Sequence, residues 1–121
     1  MDPKLGLGVD VIEIARVRRA LGRWGDRLLG RVFTAGEIAY CAERRDPSAS
    51  LAARFAAKEA FAKAVPAGAD PGWHEVEVVI GTGNKPSLKL SPRVAQLLEG
   101  RRVALSLSHS NEVAMAAVLI A

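Results

Sequence analysis

Residues 51–64 read LAARFAAKEAFAKA, and this alanine-rich stretch predicts a helix that runs from about Ser50 to Val65. Glu59 stands one helical turn before Lys63. Arg54 and Lys58 project into the sector that carries the apolar side chains of this helix. Two cations in an apolar sector are costly unless an anion or a subunit contact meets them. A phosphate group is a natural anion for this position.

The elements before this helix are indicated by local signals. Residues Leu5 to Ile12 predict a strand buried on both faces, because the apolar residues hardly alternate with polar ones. A helix follows from Glu13. The sequence Thr34-Ala35-Gly36-Glu37 matches a capping box and predicts a helix to about Arg45, which Asp46-Pro47 then ends.

The second half of the chain predicts four strands and one helix. The helix has Ser91 as its N-cap, Pro92 as its first residue and Gly100 just beyond its end. The strands are Glu75 to Ile80, Ser87 to Leu90, Val103 to about Ser108, and Val113 to Ile120. Helices and strands mix without regular βαβ alternation, so we expect an α+β fold. We expect one compact domain over residues 1–121, with helices packed on a mostly antiparallel sheet.

The amino-acid composition limits the kinds of binding partner and the cellular compartment. The net charge of +4 favours an anionic partner, which is a nucleic acid, a phosphorylated small molecule or an acidic protein. A single cysteine, Cys41, fits a reducing, cytoplasmic environment. The longest apolar run, Val113 to Ala121, is far shorter than the roughly 20 residues that span a membrane. No signal peptide is visible. We therefore expect a cytoplasmic protein that does not insert into membranes.

Asp10 is the least expected residue of the first strand. It interrupts the apolar run LGLGVDVIEI of residues 5–14, where a lone carboxylate is costly unless it is paired, hydrogen-bonded or bound to a metal. It could also cap the helix that follows. With Glu59 it would make an oxygen site that suits Mg²⁺. Glu59 and Lys63 could equally form an ordinary surface pair on their helix. Together, Asp10, Glu59 and Lys63 suit holding a hard cation against a diphosphate and protonating the leaving group.

His109 ends a predicted strand within a polar patch. Ser106, Ser108 and Asn111 stand beside it, and the end of a sheet is a usual place for ligand contact. A structural histidine explains the same pattern.

Arginines define one face of the first helix. They recur at helical spacing, opposite the apolar face, and the main ones are Arg16, Arg19 and Arg23. This face is either simply solvated or docks an acidic partner close to Asp10.

Two other classes of function compete with catalysis. A small basic nucleic-acid-binding domain would need a stacking surface, but Trp24, Tyr40 and Trp73 are scattered along the chain. No helix-turn-helix or zinc motif appears. The second class is a non-catalytic structural subunit whose charges only pair at interfaces.

Five segments, in this order, resemble a known family. They are GVDVIEIARV at 8–17, FTAGEIAYC at 33–41, RFAAKEAFAKA at 54–64, GTGNKPSLKL at 81–90 and SLSHSNEVAMAAV at 106–118. The family is that of the holo-acyl-carrier-protein synthases, the short group of 4′-phosphopantetheinyl transferases. The segments span nearly the whole chain.

The resemblance implies a fold, a reaction and a metal. The family fold is a single α+β domain. The family transfers the phosphopantetheine arm of coenzyme A to a serine of an acyl carrier protein, for fatty acid or polyketide synthesis, and releases adenosine 3′,5′-bisphosphate. Asp10 and Glu59 match its Mg²⁺ ligands, and the metal bridges the coenzyme A diphosphate. Lys63 matches the lysine that protonates the departing bisphosphate.

The resemblance also implies the binding residues and the assembly. Arg54, Lys58 and His109 match positions near the coenzyme A phosphates. The loop beside the nucleotide is matched by Gly83, Lys85 and Pro86. The helix that docks the acidic carrier protein is matched by Arg16, Arg19 and Arg23. Family members are typically homotrimers with the site between subunits.

Overall fold

The computed structural model describes residues 4–121, so the first three residues of the predicted domain lie outside the described part. The helices are α1 (Ile14–Trp24), α2 (Asp26–Val32), α3 (Ala35–Ala42), α4 (Pro47–Ala64) and α5 (Pro92–Leu97). The strands are β1 (Gly6–Glu13), β2 (Val76–Ile80), β3 (Pro86–Leu90), β4 (Val103–His109) and β5 (Val113–Ile120). Short 3₁₀ turns lie at Trp73–Glu75 and Thr82–Asn84. All strand pairs are antiparallel, so the predicted α+β class is confirmed.

Helix α4 packs along one face of a three-stranded sheet with the order β1-β5-β4. A Cβ atom on Gly8 would lie 1.8 Å from the carbonyl oxygen of Ala60, and one on Gly6 would lie 2.1 Å from that of Ala64. Only glycine therefore fits at these two positions of β1, because the strand and the helix backbones touch. The next residue on the same face of β1 is Asp10, which is thereby brought to α4.

The other face of this sheet is apolar and uncovered. On β1, Leu7, Val9 and Val11 are 61%, 43% and 56% exposed. On β5, Met115 and Leu119 are 42% and 41% exposed. The prediction that β1 is buried on both faces is therefore wrong for the single chain, because its helices cover only one side of the sheet. We call these five side chains the outer sheet face.

The predicted start is confirmed for α3 but not for α4. Thr34 and Glu37 form the predicted capping box at α3. Helix α4 begins three residues earlier than predicted, because Asp46 accepts a hydrogen bond from the amide of Ala49 and Pro47 occupies the first turn. The segment after Gly25 forms α2, a helix that the sequence analysis does not predict.

The remaining elements complete the core. The hairpin of β2 and β3 forms a separate two-stranded sheet, and the thiol of Cys41 is buried. Burial raises the pKa of this thiol to about 11, so the cysteine stays protonated at neutral pH. In residues 4–121 no helix is long and apolar enough to cross a bilayer.

Candidate active site

Asp10 and Glu59 line the same cavity, which has a volume of about 320 Å³. Asp10 comes from β1 and Glu59 from α4, 49 positions later in the chain. Arg16, on α1, lies at the edge of this cavity. We call it the carboxylate cavity. Both predicted acidic side chains therefore line one cavity in the folded chain.

Lys63 joins this group through Asp10. Its Nζ lies 3.1 Å from Oδ1 of Asp10 and donates to the carbonyl oxygen of Val9 at 2.9 Å. The side chain of Asp10 is 16% exposed and that of Lys63 is 53% exposed. Lys63 therefore stays accessible while it pairs with a carboxylate that is largely shielded from water.

Both non-catalytic interpretations of these carboxylates lose support. The N-cap of α1 is Glu13, not Asp10. Among residues 4–121, Lys63 pairs with Asp10 and not with Glu59, so the surface pair along α4 is not formed. Glu59 makes no ion pair in this part of the chain, and its carboxylate is available to a ligand.

The donor set of the cavity suits a hard cation that also binds substrate. No group of three or more His, Cys, Asp or Glu side chains gathers within the described residues. A cation at Asp10 and Glu59 would therefore take its remaining ligands from water and from substrate oxygens. Mg²⁺ binds in this way, through one or two carboxylates plus phosphate.

Apart from Arg16, the rest of the carboxylate cavity is apolar. Its wall is formed by residues of β1, α1, α2 and α4 and by the residue after α2. These are Val11, Ile12, Val17, Ala20, Leu28, Val32, Phe33 and Phe55. The ring of Phe55 stacks on that of Trp73, with 5.4 Å between the ring centroids. The cavity thus joins a polar end at the two carboxylates to an apolar end.

Lys58 has another partner than the one predicted. Its side chain is 2% exposed, and Nζ lies 2.7 Å from Oε1 of Glu37. Nζ also donates to the carbonyl oxygens of Val32 at 2.9 Å and Trp73 at 2.7 Å. Burial lowers the pKa of Lys58, and the bond to Glu37 opposes that shift. The anion that meets this cation in the apolar sector is therefore a carboxylate of the same chain, not a phosphate.

Arg54 is buried, but one of its N–H donors makes no hydrogen bond within the described part of the chain. It is 4% exposed, and Nη1 donates to the carbonyl oxygen of Ser50 at 3.1 Å. Its guanidinium carbon lies 4.5 Å from the centre of the Tyr40 ring. Nε has no hydrogen-bond partner among residues 4–121. A buried cation with an unpaired donor suits an anionic ligand.

His109 lies in a second depression of about 760 Å³, which we call the basic groove. It is lined by Arg44, Arg45, Asp46, Ala49, Ser50, His109, Ser110 and Asn111. Nδ1 of His109 is 3.2 Å from the carbonyl oxygen of Ser110. Sequence reasoning missed Arg44 and Arg45. The adjacent arginine pair just after α3 was the available signal, but only the fold brings it to the end of β4.

The predicted loop residues lie apart from both depressions within one chain. Gly83, Lys85 and Pro86 form the tip of the β2–β3 hairpin, where Gly83 has a φ of 73°. None of the three lines the carboxylate cavity or the basic groove.

The predicted docking arginines are all on the surface. Arg16, Arg19 and Arg23 are exposed on α1. Helix α2 extends this basic surface with Arg27 and Arg31, which line a further groove with Trp24 and Leu28. Sequence reasoning missed this extension because α2 was not predicted as a helix.

Comparisons with known proteins agree on one family. The model of the 4′-phosphopantetheinyl transferase superfamily matches residues 6–118. The holo-[acyl-carrier-protein] synthase of Chlamydia muridarum is 47% identical over 94% of this chain and 92% of its own length.

Solved structures agree as well. The synthase from Neisseria meningitidis has a TM-score of 0.84 and 31% identity, covering 96% of this chain and 97% of that chain. The Bacillus anthracis synthase in complex with CoA (3′,5′-ADP) has a TM-score of 0.79 and 33% identity, over 95% and 94% of the two chains. This chain therefore belongs to the 4′-phosphopantetheinyl transferase superfamily, within which its relatives are holo-[acyl-carrier-protein] synthases.

Proposed function

We propose that this chain transfers the 4′-phosphopantetheine arm of coenzyme A to a serine of an apo acyl carrier protein, with Mg²⁺, and releases adenosine 3′,5′-bisphosphate. The observation that carries the proposal is the shared cavity of Asp10 and Glu59, with Lys63 bonded to Asp10. The family membership supports the reaction class. Relatives solved with coenzyme A support the choice of donor.

Asp10 and Glu59 are the residues that would hold Mg²⁺. The ion supplies charge neutralisation for the diphosphate oxygens when it is bound. Two carboxylates beside an accessible cavity fit this requirement, since the diphosphate and water can complete the coordination.

Lys63 is proposed as the group that stabilises and protonates the leaving bisphosphate. In the reaction, the serine oxygen bonds to the β-phosphorus, and the bond from that phosphorus to the oxygen shared with the α-phosphorus breaks. The bisphosphate leaves with that oxygen, and the serine loses its proton. Lys63 is half exposed and is paired with Asp10, which lines the cavity, so it suits a donor to the departing oxygen. Either carboxylate of the cavity, or a water bound with the ion, would accept the serine proton.

Arg54 and His109 are proposed contacts for the coenzyme A phosphates, with Arg44 and Arg45 added from the basic groove. The unpaired Nε of Arg54 supports its part, because an anion would satisfy it. The loop residues Gly83, Lys85 and Pro86 are kept as proposed nucleotide contacts. Lys58 is left out because all three of its donors are already used within the chain.

The apolar end of the carboxylate cavity is proposed to take the pantetheine arm. The arm is a largely uncharged chain attached to the diphosphate, so it must lie next to the phosphate-binding residues. The apolar wall that begins beside Glu59 suits such a ligand.

The basic surface of α1 and α2 is proposed to dock the acidic carrier protein. Arg16 lies both on this surface and at the edge of the carboxylate cavity. A carrier bound to α1 would therefore present its serine near Asp10. Charges of this kind raise the rate of encounter more than the intrinsic affinity.

A homotrimer is proposed from the resemblance and from the outer sheet face. An apolar patch of this kind on a small protein usually marks an interface. A trimer would also allow the β2–β3 loop of one subunit to approach the cavities of another, which would explain why Gly83, Lys85 and Pro86 lie apart from them within one chain.

The direct test mixes the protein, Mg²⁺, coenzyme A and an apo carrier protein and follows the intact mass of the carrier. We expect a gain of one phosphopantetheine, and no gain for a carrier whose acceptor serine is replaced by alanine. An unchanged carrier mass would refute the proposed function. Retention on heparin without coenzyme A binding would instead favour a nucleic-acid-binding protein.

A further inference from the structure

The ammonium group of Lys58 is a buried connector between distant parts of the chain. Its three donors meet Oε1 of Glu37 and the carbonyl oxygens of Val32 and Trp73. A lysine has three N–H donors and no more. Any phosphate that bound Lys58 would therefore have to displace one of these bonds.

Glu37 extends the connection to two further elements. Its Oε1 accepts from the amide of Thr34 at 2.9 Å, and its Oε2 accepts from the amide of Val78 at 2.8 Å. Glu37 is 1% exposed. The pair of Lys58 and Glu37 thus ties α4 to the end of α2, the start of α3, the strand β2 and the turn at Trp73.

Two of these attachment points lead directly to the carboxylate cavity. Val32 and the following residue, Phe33, are part of its apolar wall. Trp73 stacks on Phe55, which belongs to the same wall. Lys58 itself does not line this cavity, although it directly precedes Glu59 in the chain.

We propose that Lys58 and Glu37 are positioning residues that hold the apolar wall of the carboxylate cavity in place for the pantetheine arm. Neither side chain touches coenzyme A. The inference rests on the proposed function, because it takes the arm as the occupant of the apolar end. It replaces the expected phosphate contact of Lys58 with a role in recognising the part of coenzyme A that carries no phosphate.

Binding of two ligands distinguishes a positioning role of Lys58 from a direct contact to phosphate. Adenosine 3′-phosphate 5′-diphosphate has all three phosphates of coenzyme A but lacks the pantetheine arm. For Lys58→Met we expect the affinity for coenzyme A to fall about tenfold or more, since a displaced wall misplaces the arm. The affinity for this arm-free nucleotide should stay within about twofold of the original. Lys89→Met, on the exposed side of β3, should change neither affinity. An equal loss for both ligands would mean a direct phosphate contact and would overturn the proposal.

A double variant separates positioning from stability. Lys58→Met alone leaves the carboxylate of Glu37 buried without its cation, which destabilises the fold. In Glu37→Gln with Lys58→Met both charges are gone, so the unfolding midpoint should recover in part. The carbonyl oxygens of Val32 and Trp73 remain without their donor, and the selective loss of coenzyme A affinity should persist. Recovery of coenzyme A affinity together with stability would overturn the positioning role.

A milder variant keeps the test open if the buried pair cannot be changed. Trp73→Leu removes the ring that stacks on Phe55 and leaves the charges in place. We expect the same selective loss of coenzyme A affinity, and an unchanged affinity would contradict the proposal. A starting protein that binds neither ligand would refute the proposed function itself, and this inference with it.

Discussion

Lys63 and Asp10 are joined by an ion pair of 3.1 Å that connects α4 to β1 across 53 positions of the chain. The same ammonium donates to the carbonyl oxygen of Val9. Gly8 allows this contact, because it lets the strand touch the helix backbone at Ala60. The geometry of the carboxylate cavity therefore depends on a glycine as much as on its charged residues.

Replacing Gly8 by alanine tests this dependence. The added Cβ would lie 1.8 Å from a backbone oxygen, so strand and helix must separate. We expect a loss of roughly 3 kcal/mol in the free energy of unfolding, measured by denaturant titration. Gly22→Ala is the matched control, since nothing lies within 4 Å of its added Cβ in α1. The control substitution should raise the free energy of unfolding by about 0.5–1 kcal/mol. Similar effects of the two variants would contradict the close approach at Gly8.

Kinetics with the carrier protein test whether the basic surface of α1 and α2 docks it. Arg19→Glu with Arg23→Glu leaves the arginine at the cavity edge, Arg16, in place. We expect the KM for the carrier to rise about tenfold at low salt and its salt dependence to weaken, because charge steering is lost. Arg102→Glu makes the same kind of charge change on exposed chain before β4 and should have little effect. An unaltered KM in the α1 variant would show that this helix does not dock the carrier.

The outer sheet face is tested by introducing charge. Val11 and Met115 are neighbours across β1 and β5, and both are exposed in the single chain. Val11→Glu should shift the mass measured by sedimentation from trimer to monomer, because burying a carboxylate among apolar side chains is costly. Leu97→Glu, on an exposed apolar residue of α5, is the control. A monomeric starting protein, or an unchanged trimer in the variant, would contradict this interface.

The loop before β2 should respond to acid through Glu75. Its carboxylate accepts from Nε of Arg93, the amide of Gly72 and Oγ of Ser91, each at 2.9 Å. The bond from Arg93 is the main reason that the pKa of Glu75 falls to about 2 from 4.5. The unfolded chain takes up this proton at a higher pH than the folded chain. The stabilisation is therefore present above pH 4.5 and is lost as the pH falls towards 2.

The variant Glu75→Gln isolates this contribution. Its free energy of unfolding should fall less steeply with acid over that pH range than the free energy of the unmodified protein. Glu99→Gln, an exposed residue after α5, should keep the original acid dependence. Parallel curves for all three proteins would exclude the contribution of Glu75.

Local signals explain which parts of the fold could be predicted from the sequence. The capping box of Thr34 and Glu37, the Ser91-Pro92 helix start and the alternation along β4 each depend on neighbouring residues. Helix α2 was missed because its cap position, Gly25, makes no side-chain cap and Gly30 interrupts the helical pattern.

The parts of the structure that could not be predicted depend on contacts between residues far apart in the chain. The sequence placed Lys58 in an apolar sector, but its partner Glu37 is 21 positions away and was already explained by the capping box. The carboxylate of Glu37 both caps α3 and pairs with Lys58. The exposed apolar face of β1 has a similar origin, because the apolar sequence predicts a cover that no element within residues 4–121 supplies. In the candidate site, Asp10 and Glu59 could be named in advance, whereas Arg44 and Arg45 required the fold.

Asp10 and Glu59 are proposed to share one divalent ion. Calorimetric titration of Mg²⁺ into the protein with bound coenzyme A measures this directly. We expect Asp10→Asn and Glu59→Gln each to weaken Mg²⁺ binding by about tenfold or more, since each removes a charged ligand. Asp26→Asn, an exposed acid at the start of α2, should bind the ion as before. An unchanged Mg²⁺ affinity in both site variants would contradict the account.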